Sequence, residues 1–342
     1  MKKAGFTLVE LLAVIVILAV ILVIAVPQVI NVINNSRRNS LELSVKSWAS
    51  ALEAYYVTSM LSNNNVGTII PENTPCPDDL VQFENGVCTY GLVVVNSNPV
   101  AMVTIVGSGR FEGLTGCGTR RVVSVVDGTE CEMPCGVPFV DYRDENIYTT
   151  IQMGDQCWFG ENLRYTDSGN LACLSETWNS TSPFNACRIH GGTGWDQDEV
   201  LYQWGAAMDG ATTEGSQGIC PNGSYVPTDN DWKELEIHLG MTQAQADLTG
   251  AWRGTNQGDQ LKGSNPSWCH NSTDCASSGF NALPAAYRGT DGTLYDVVYT
   301  LWWSSTPSGS NAWHRYLRSS RSGVHRVTDT QAVGYSVRCI KE

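Results

Sequence analysis

An uninterrupted apolar run near the N-terminus constrains the fold more than any other feature of the sequence. Leu11 to Val26 are sixteen consecutive apolar residues. Residues 6–9 extend the stretch towards the roughly 20 residues that a membrane-spanning helix needs. The run therefore predicts a helix that enters a membrane.

Three interpretations compete for this run, and Glu10 at its start separates them. A carboxylate on a membrane helix costs about 3 kcal/mol near the bilayer centre and less towards an interface, so it normally has a partner. A cleaved signal peptide would end in a small-residue cleavage site, whereas Pro27 and Gln28 follow the run. A plain membrane anchor accounts for the apolar residues but leaves Glu10 unexplained.

The third interpretation rests on residues 2–10, KKAGFTLVE, which resemble the processing site of type IV pilins and pseudopilins. The resemblance implies that a prepilin peptidase cuts between Gly5 and Phe6, removing residues 1–5 as a leader, and that Phe6 is then methylated. It also implies that Glu10 pairs with the N-terminal amine of a neighbouring subunit, where two buried charges compensate each other. Pro27 matches the position where the family's helix bends or locally melts.

A second apolar stripe continues the helix beyond Pro27. Its residues recur at spacings of three and four: Leu41, Val45, Trp48, Leu52 and Tyr55. We therefore predict one assembly helix over residues 6–61, about 84 Å long if it is continuous. The polar residues 62–65 end it.

The segment 62–131 is predicted to form a small pilin head that contains an antiparallel sheet. Residues 91–95, 100–106 and 121–126 are rich in β-branched side chains and are bounded by Asn, Gly, Pro and Asp. A short linker is predicted at residues 132–138.

Twelve cysteines, an even number without C-x-x-C pairs, favour six disulfides over zinc sites. Disulfides in turn indicate an oxidising, extracytoplasmic compartment. Connectivity does not follow from a sequence. One assignment that accounts for all the cysteines is Cys76–Cys88, Cys117–Cys131, Cys135–Cys157, Cys173–Cys187, Cys220–Cys339 and Cys269–Cys275.

From residue 139 the composition changes, because Trp, Asn, Ser, Thr and Gly increase and long apolar runs disappear. Ordered segments of residues 139–342 resemble the Fibrobacter succinogenes major paralogous domain, among them GFNALPA (279–285) and GYSVRC (334–339). The resemblance implies a relative of the C-type-lectin-like fold, in its formylglycine-generating-enzyme branch.

The predicted fold class is therefore α+β. A long pilin helix and a small antiparallel sheet precede a loop-rich, lectin-like domain that is stapled by disulfides. Within that domain, helices are predicted at residues 199–208 and 229–239, the second opened by an Asp or Asn cap.

Residues 311–332 form a polar stretch between segments that match the family, and they predict either a solvated loop or a ligand-binding loop. In some lectin-like proteins that the chain resembles, retroelements diversify this segment. Aromatic residues beside it could stack on sugars or anchor a protein interface. The candidate ligand-binding residues are Trp303, Trp313, His314, Arg318, Ser319, Ser320, Arg321, His325, Thr328 and Asp329.

Strand alternation refines this set of candidates. At least one of Trp302 and Trp303 is expected in the core. His314 and Arg315 are expected to divide between surface and core, because successive side chains of a strand point to opposite faces.

Several function classes are not expected. The net charge of −13 would repel a phosphate backbone, so nucleic acid is not an expected partner. No enzyme is expected, because no nucleophile elbow surrounds a serine and Cys339 is the only cysteine after Cys275. The histidines show no i, i+4 pair, so no metal or cofactor site is predicted.

Structural calcium is the one ion that the lectin-like resemblance allows. Loop oxygens such as those of Asp229, Asp231 and Asp291 could bind it, although capping or turn functions suit these residues better.

Together these features predict a type IV pilus-like subunit that displays an adhesive domain. A domain as large as 139–342 would crowd a filament if every subunit carried it, so a minor or tip subunit is expected. Its partners would be other pilin subunits, the prepilin peptidase and a surface glycan or protein ligand. It would lie in the cytoplasmic membrane before assembly and on the cell surface afterwards. The alternative is a pseudopilin of a secretion or DNA-uptake machine, whose large domain engages cargo.

Overall fold

The chain divides into two compact units, Met1–Pro134 and Cys135–Glu342. The structure, a computed structural model, describes residues 8–62, 69–77, 80, 85–95, 97–166, 186–188, 199–265, 267–271 and 273–342. The boundary between the units falls inside the segment 132–138, where the sequence predicts a linker.

The first unit consists of one long helix and a five-stranded antiparallel sheet whose strands follow each other in sequence order. Its elements are α1 (Leu8–Ser62), β1 (Ile69–Pro75), β2 (Gly86–Val95), β3 (Asn98–Gly107), a 3-10 turn (Gly109–Phe111), β4 (Leu114–Gly118) and β5 (Val123–Asp127). α1 has 55 residues and is about 82 Å long. Pro27 lies inside this helix.

The two halves of α1 have different surroundings. Large apolar side chains are exposed along the described part of the first half, which is long and apolar enough to cross a membrane. In the second half, Leu41, Val45, Trp48 and Leu52 are buried in a core with side chains of the sheet.

Tyr56, and not the predicted Tyr55, completes the buried stripe of α1. Tyr56 is in the core, whereas 43% of Tyr55 is exposed. At 3.6 residues per turn, Tyr56 lies nearer to the line through Val45, Ala49 and Leu52 than Tyr55 does.

The second unit is built from short strands and helices around one larger sheet. Its elements are β6 (Phe139–Asp141), β7 (Asn146–Tyr148), β8 (Thr150–Met153), β9 (Gln156–Phe159), β10 (Ala186–Arg188), β11 (Val200–Tyr202), α2 (Trp204–Ala207), β12 (Ser224–Tyr225), α3 (Asp229–His238), α4 (Gln243–Asp247), β13 (Trp252–Arg253), α5 (Gln257–Leu261), β14 (Ala285–Arg288), β15 (Leu294–Ser308), β16 (Asn311–Arg318), β17 (Val324–Thr330) and β18 (Ile340–Lys341). The larger sheet is antiparallel with the order β13-β17-β16-β15-β14, and a second sheet has the order β12-β18-β9-β8.

The helix predicted at 229–239 corresponds to α3, but its cap differs from the prediction. Thr228 is the N-cap, and its hydroxyl accepts a hydrogen bond from the backbone N–H of Asp231 at 3.0 Å. The Asp231 carboxylate in turn accepts a hydrogen bond from the Thr228 N–H at 2.7 Å. This reciprocal capping box satisfies two backbone donors at the start of the helix.

The helix predicted at 199–208 is wrong for most of its length, because only Trp204–Ala207 are helical. Val200–Tyr202 form β11, which pairs with β10. Tyr202 also exchanges two backbone hydrogen bonds with Tyr335, at 2.8 and 3.0 Å. These tertiary pairings outweigh the local helix propensity.

Five disulfides join cysteines within the described residues, and all five coincide with pairs of the assignment made from the sequence. They are Cys76–Cys88, Cys117–Cys131, Cys135–Cys157, Cys220–Cys339 and Cys269–Cys275. The remaining predicted pair, Cys173–Cys187, lies outside the described residues because Cys173 does.

The larger sheet of the second unit is covered on both faces. One face packs against α3, where Trp302 and Leu317 form a core with Trp232. Trp303 lies on the opposite face and packs against Tyr335 and neighbouring apolar residues. Both faces of the central strands therefore carry buried side chains.

A buried ion network fixes α3 to the sheet. Arg315 donates to Asp229 and to Glu236, both at 2.7 Å. Arg326 donates two hydrogen bonds to Asp229, at 2.8 and 2.6 Å, and Arg253 donates two to Glu236, at 2.7 and 2.6 Å. Burial by itself would raise the pKa of Asp229, but the hydrogen bonds and charges of Arg326 and Arg315 outweigh it and hold this pKa at about 2.

We predict that Asp229→Asn destabilises the second unit by about 3–5 kcal/mol, because it leaves buried guanidinium groups without their carboxylate. The variant also changes the acid response. The pKa of Asp229 is lower in the folded than in the unfolded state, so its contribution of about 2 kcal/mol is present above pH 4 and is lost as the pH falls towards 2. Unfolding of the intact chain in detergent, followed by tryptophan fluorescence between pH 2 and 7, measures both effects.

Asp247→Asn is the matched control, since half of the Asp247 side chain is exposed beside Lys233. This control is expected to stay close to the wild-type stability. Equal stabilities of the Asp229 and Asp247 variants at neutral pH would contradict the structural importance of the network.

Candidate functional site

A row of aromatic rings crosses the larger sheet of the second unit, with at least one ring on each of its five strands. The rings, here called the aromatic row, are Trp252 (β13), His325 (β17), Tyr316 (β16), Tyr299 and Tyr295 (β15) and Tyr287 (β14). Centroids of neighbouring rings are 4.4–6.3 Å apart. The register explains the row, because Trp252 is paired with His325 and His325 with Tyr316.

The aromatic row is half-buried, so the rings are in contact with both protein and solvent. Tyr287, Tyr299 and Tyr316 pack against the core on one side, and 41% of Tyr295 is exposed. Within the described part of the chain, the hydroxyl groups of these four tyrosines have no hydrogen-bond partner. They are therefore available to a ligand.

Three members of the row, Tyr316, Tyr287 and His325, are uncharged at neutral pH. Burial and the neighbouring Tyr299 raise the pKa of Tyr316, and burial together with Tyr295 raises the pKa of Tyr287. Burial and the charge of Arg253 lower the pKa of His325. Tyr316 and Tyr287 thus remain hydrogen-bond donors, and His325 is neutral.

Two exposed arginines lie beside the row: Arg318 is the last residue of β16, and Arg321 lies in the turn that connects β16 and β17. Arg318 is paired with Tyr299 across the strands, and its guanidinium lies 5.2 Å from the centre of the Tyr299 ring. The charges of Arg318 and Arg321 both act on the Tyr316 hydroxyl. Among the described residues, neither arginine takes part in an ion pair.

Buried Lys262 holds this turn in place. Its ammonium group donates to the backbone carbonyls of Arg318 and Arg321, at 2.8 and 2.6 Å, and to the carboxylate of Asp259 at 2.9 Å. All three ammonium hydrogens are therefore used, and the backbone positions of both arginines are fixed by one side chain.

The structure contradicts the predicted ligand-binding function of Trp303 and His314, because both are buried. Trp303 donates from its indole nitrogen to the Tyr202 carbonyl at 2.8 Å. Burial and the charge of Arg315 lower the pKa of His314 to about 3. Arg315 is buried as well, so the expected division of His314 and Arg315 between surface and core is wrong. Trp302 and Trp303 are both in the core, where at least one of them was expected. The reason is that both faces of this sheet are covered.

The other predicted residues divide among three places. Arg318, Ser319, Ser320 and Arg321 lie in or beside the β16–β17 turn, and His325 belongs to the aromatic row. Trp313 and Thr328 point to the opposite face, where the Trp313 ring stacks on the guanidinium of Arg326 at 3.8 Å. Asp329 accepts a hydrogen bond from the buried Tyr335 hydroxyl at 2.7 Å.

The prediction that residues 311–332 form an irregular loop is also wrong, because β16 and β17 form a regular hairpin there. Six residue pairs join the strands, from Asn311–Thr330 to Tyr316–His325. Some polar side chains of this stretch are bound inside the fold, as Arg315 and Arg326 are in the ion network, whereas Arg318 and Arg321 are exposed.

Sequence reasoning missed Trp252, Tyr287, Tyr295, Tyr299 and Tyr316. A period-two pattern was available for part of the row, since Trp303, Leu301 and Tyr299 share one face of β15 and His314 and Tyr316 share one face of β16. No local signal connects Trp252 to them, because β13 has only two residues and joins the sheet from a distant part of the chain.

The residues considered for metal binding have other functions in the structure. Asp229 belongs to the ion network, Asp231 caps α3, and Asp291 closes a turn by accepting hydrogen bonds from Thr293. The carboxylate of Asp259 lies close to Cys269 and Cys275, but these two cysteines form a disulfide and the carboxylate accepts bonds from Lys262 and from two backbone N–H groups.

The N-terminal resemblance is confirmed by a match of residues 1–26 to the prokaryotic N-terminal methylation motif, which indicates a type IV pilin-like surface subunit. Residues 151–341 match the model of the Fibrobacter succinogenes major domain, more than half of the chain, and the chain belongs to this family. No curated protein and no solved structure matches the chain.

We predict that Lys262→Met loosens the β16–β17 turn and lowers the stability of the second unit by about 3–5 kcal/mol, because the buried Asp259 carboxylate loses its cation. Hydrogen exchange measured by mass spectrometry on the intact chain should show faster exchange at residues 318–323. Lys341→Met is the control, since Lys341 is half-buried without an ion pair in the described part of the structure. Unchanged exchange in the Lys262 variant would show that this lysine does not hold the turn.

Proposed function

We propose that this chain is a minor or tip subunit of a type IV pilus-like filament and displays its second unit as an adhesive, ligand-binding domain. The observation that carries the proposal is the combination of two features in one chain. The first half of α1 exposes apolar residues that need a membrane or neighbouring helices, and the second unit carries a half-exposed aromatic row.

The size of the second unit supports a minor or tip position. Cys135–Glu342 is larger than Met1–Pro134, the unit that contains the assembly helix. If every subunit carried the second unit, the filament would have to accommodate more residues in these displayed units than in the units that contain the assembly helices.

We also propose that the second unit has a C-type-lectin-like fold of the formylglycine-generating-enzyme branch and binds its ligand without turnover. The fold proposal rests on the resemblance of its ordered segments, including the closing segment 334–339, in which Tyr335, Val337 and Cys339 are core residues. Binding without turnover is supported by the Cys220–Cys339 disulfide, which occupies the only cysteine near the C-terminus. His314 is buried and its pKa is lowered to about 3, so it is too inaccessible and too weakly basic for a general base.

We expect the chain recovered from sheared cell-surface material to begin at a methylated Phe6, since the motif implies cleavage after Gly5.

Glu10→Gln should reduce the amount of chain in the sheared fraction and increase the amount in the membrane, because the implied charge pair between subunits is lost. Glu42→Gln makes the same chemical change farther along α1, where Glu42 is paired with Lys46 among the described residues, and should assemble normally. Mass spectrometry and blotting of both fractions measure these outcomes. A chain that still begins at Met1 and stays in the membrane would refute the filament proposal.

A second comparison separates adhesion from cargo secretion. Cells that lack the chain should lose adhesion to their substratum while the set of secreted proteins stays unchanged. Normal adhesion with a loss of secreted proteins would favour the pseudopilin alternative. DNA is a poor candidate for cargo, because the net charge of the chain is −13.

A further inference from the structure

We propose that the aromatic row and the two arginines beside it bind an acidic saccharide, a chain of pyranose rings that carry carboxylate groups. This inference rests on the proposed adhesive function and adds the chemical class of the ligand. Three observations carry it: the shape of the row, the state of its polar groups and the charge at its edge.

The shape of the row suits a sugar chain better than a protein partner. Four inter-strand spacings of about 4.8 Å make the row about 19 Å long, and it is one ring wide. Each partner of a stable protein–protein interface buries about 800 Å², which is far more than this strip offers. A single chain of pyranose rings is instead narrow enough to lie along the row. His325 stacks on Tyr316 and Tyr287 stacks on Tyr295, so these rings would meet such a chain with their edges and polar groups.

The polar groups of the row are free where a sugar would need them. Among the described residues, the hydroxyls of Tyr287, Tyr299 and Tyr316 have no hydrogen-bond partner, whereas the buried Tyr335 hydroxyl is bound to Asp329. The raised pKa values of Tyr287 and Tyr316 keep their hydroxyls protonated. Each can therefore donate to a sugar oxygen.

The charge at the edge of the row selects for an anion. The chain has a net charge of −13, yet Arg318 and Arg321 have no carboxylate partner among the residues that the structure describes. Other arginines of this unit, such as Arg143 and Arg253, are paired with carboxylates. A guanidinium group binds a carboxylate through two parallel hydrogen bonds, which an ester or a neutral hydroxyl cannot match.

The backbone that carries the two arginines is also fixed before any ligand binds. Lys262 holds the backbone carbonyls of both, so the turn that presents them is ordered by a buried contact. Such preorganisation lowers the entropic cost of binding and distinguishes this edge from a mobile surface turn. Asp329, the acidic residue on the same face of β17, already accepts the hydrogen bond of Tyr335.

Calorimetry of the full-length chain in detergent tests the inference, with oligogalacturonate as the acidic probe and its methyl ester as the neutral one. We expect the acid to bind at least about tenfold more tightly than the ester, because the ester removes a charge-assisted contact. Added salt should weaken binding of the acid but not of the ester. Arg318→Gln and Arg321→Gln should each lower the affinity for the acid about tenfold and leave the affinity for the ester unchanged.

Tyr316→Ala should weaken both probes about tenfold or more, because it removes a ring in the middle of the row that both of them would contact. Two controls match these changes: Arg121→Gln removes an exposed arginine of the first unit, and Tyr142→Ala removes an exposed tyrosine outside the row. Tyr316→Phe keeps the ring and should retain most of the affinity, which guards against a folding defect in the alanine variant.

Equal affinities for the acid and the ester would overturn the inference of an acidic ligand. If neither probe binds while cells still need the chain for adhesion, the saccharide inference is wrong and the adhesive function stands. If neither probe binds and adhesion does not depend on the chain, both proposals are wrong. Binding of the acid that survives the Arg318 and Arg321 changes would locate the site elsewhere and overturn this assignment.

Discussion

Two carboxylates, those of Asp229 and Glu236, lie between three guanidinium groups at the contact of α3 with the larger sheet, and the arrangement of the second unit depends on them. Arg315 and Arg326 are directly opposite each other on neighbouring strands. Like charges in such a pair are destabilising unless an anion lies between them. Asp229 supplies that anion by accepting hydrogen bonds from both arginines. A buried network of this kind adds little stability compared with apolar residues, but it tolerates few alternative arrangements.

The network also determines which residues form the opposite face. Side chains alternate along a strand, so a register that points Arg315 to α3 must point His314 and Tyr316 the other way. A slip of one residue would bury Tyr316 beneath α3 and expose Arg315. The ion network and the aromatic row are thus two consequences of one register. Residues that never contact a ligand thereby control where the rings of the proposed site lie.

The sequence predicts the parts of this structure whose signals are local. The apolar run and the stripe from Leu41 to Leu52 each predict a helix from a short segment. The residues around Gly5 likewise predict a processing motif from a short segment. The site is different, because its rings come from five strands, of which β13 is distant in sequence from the other four, and because its register is set by α3. Polar residues such as Arg315 and Arg326 suggested a solvated loop, since nothing near them in the sequence reveals that Asp229 accepts their hydrogen bonds. Alternation also failed for His314 and Arg315, because both faces of the sheet bury side chains at these positions.

The covalent bonds of the second unit suit a domain that is held at one end. In the proposed function, tension from a filament enters this unit at Cys135, its first residue. The Cys135–Cys157 disulfide passes that tension directly to β9, so the intervening strands β6, β7 and β8 are not unwound. β9 pairs with β18 next to Cys339, which is bonded to Cys220 on the far side of a long stretch of chain. The start, the middle and the end of the unit are therefore connected through two disulfides and one strand pairing. A ligand held on the aromatic row would pull against this connected frame and not against a chain that is free to unfold from its ends.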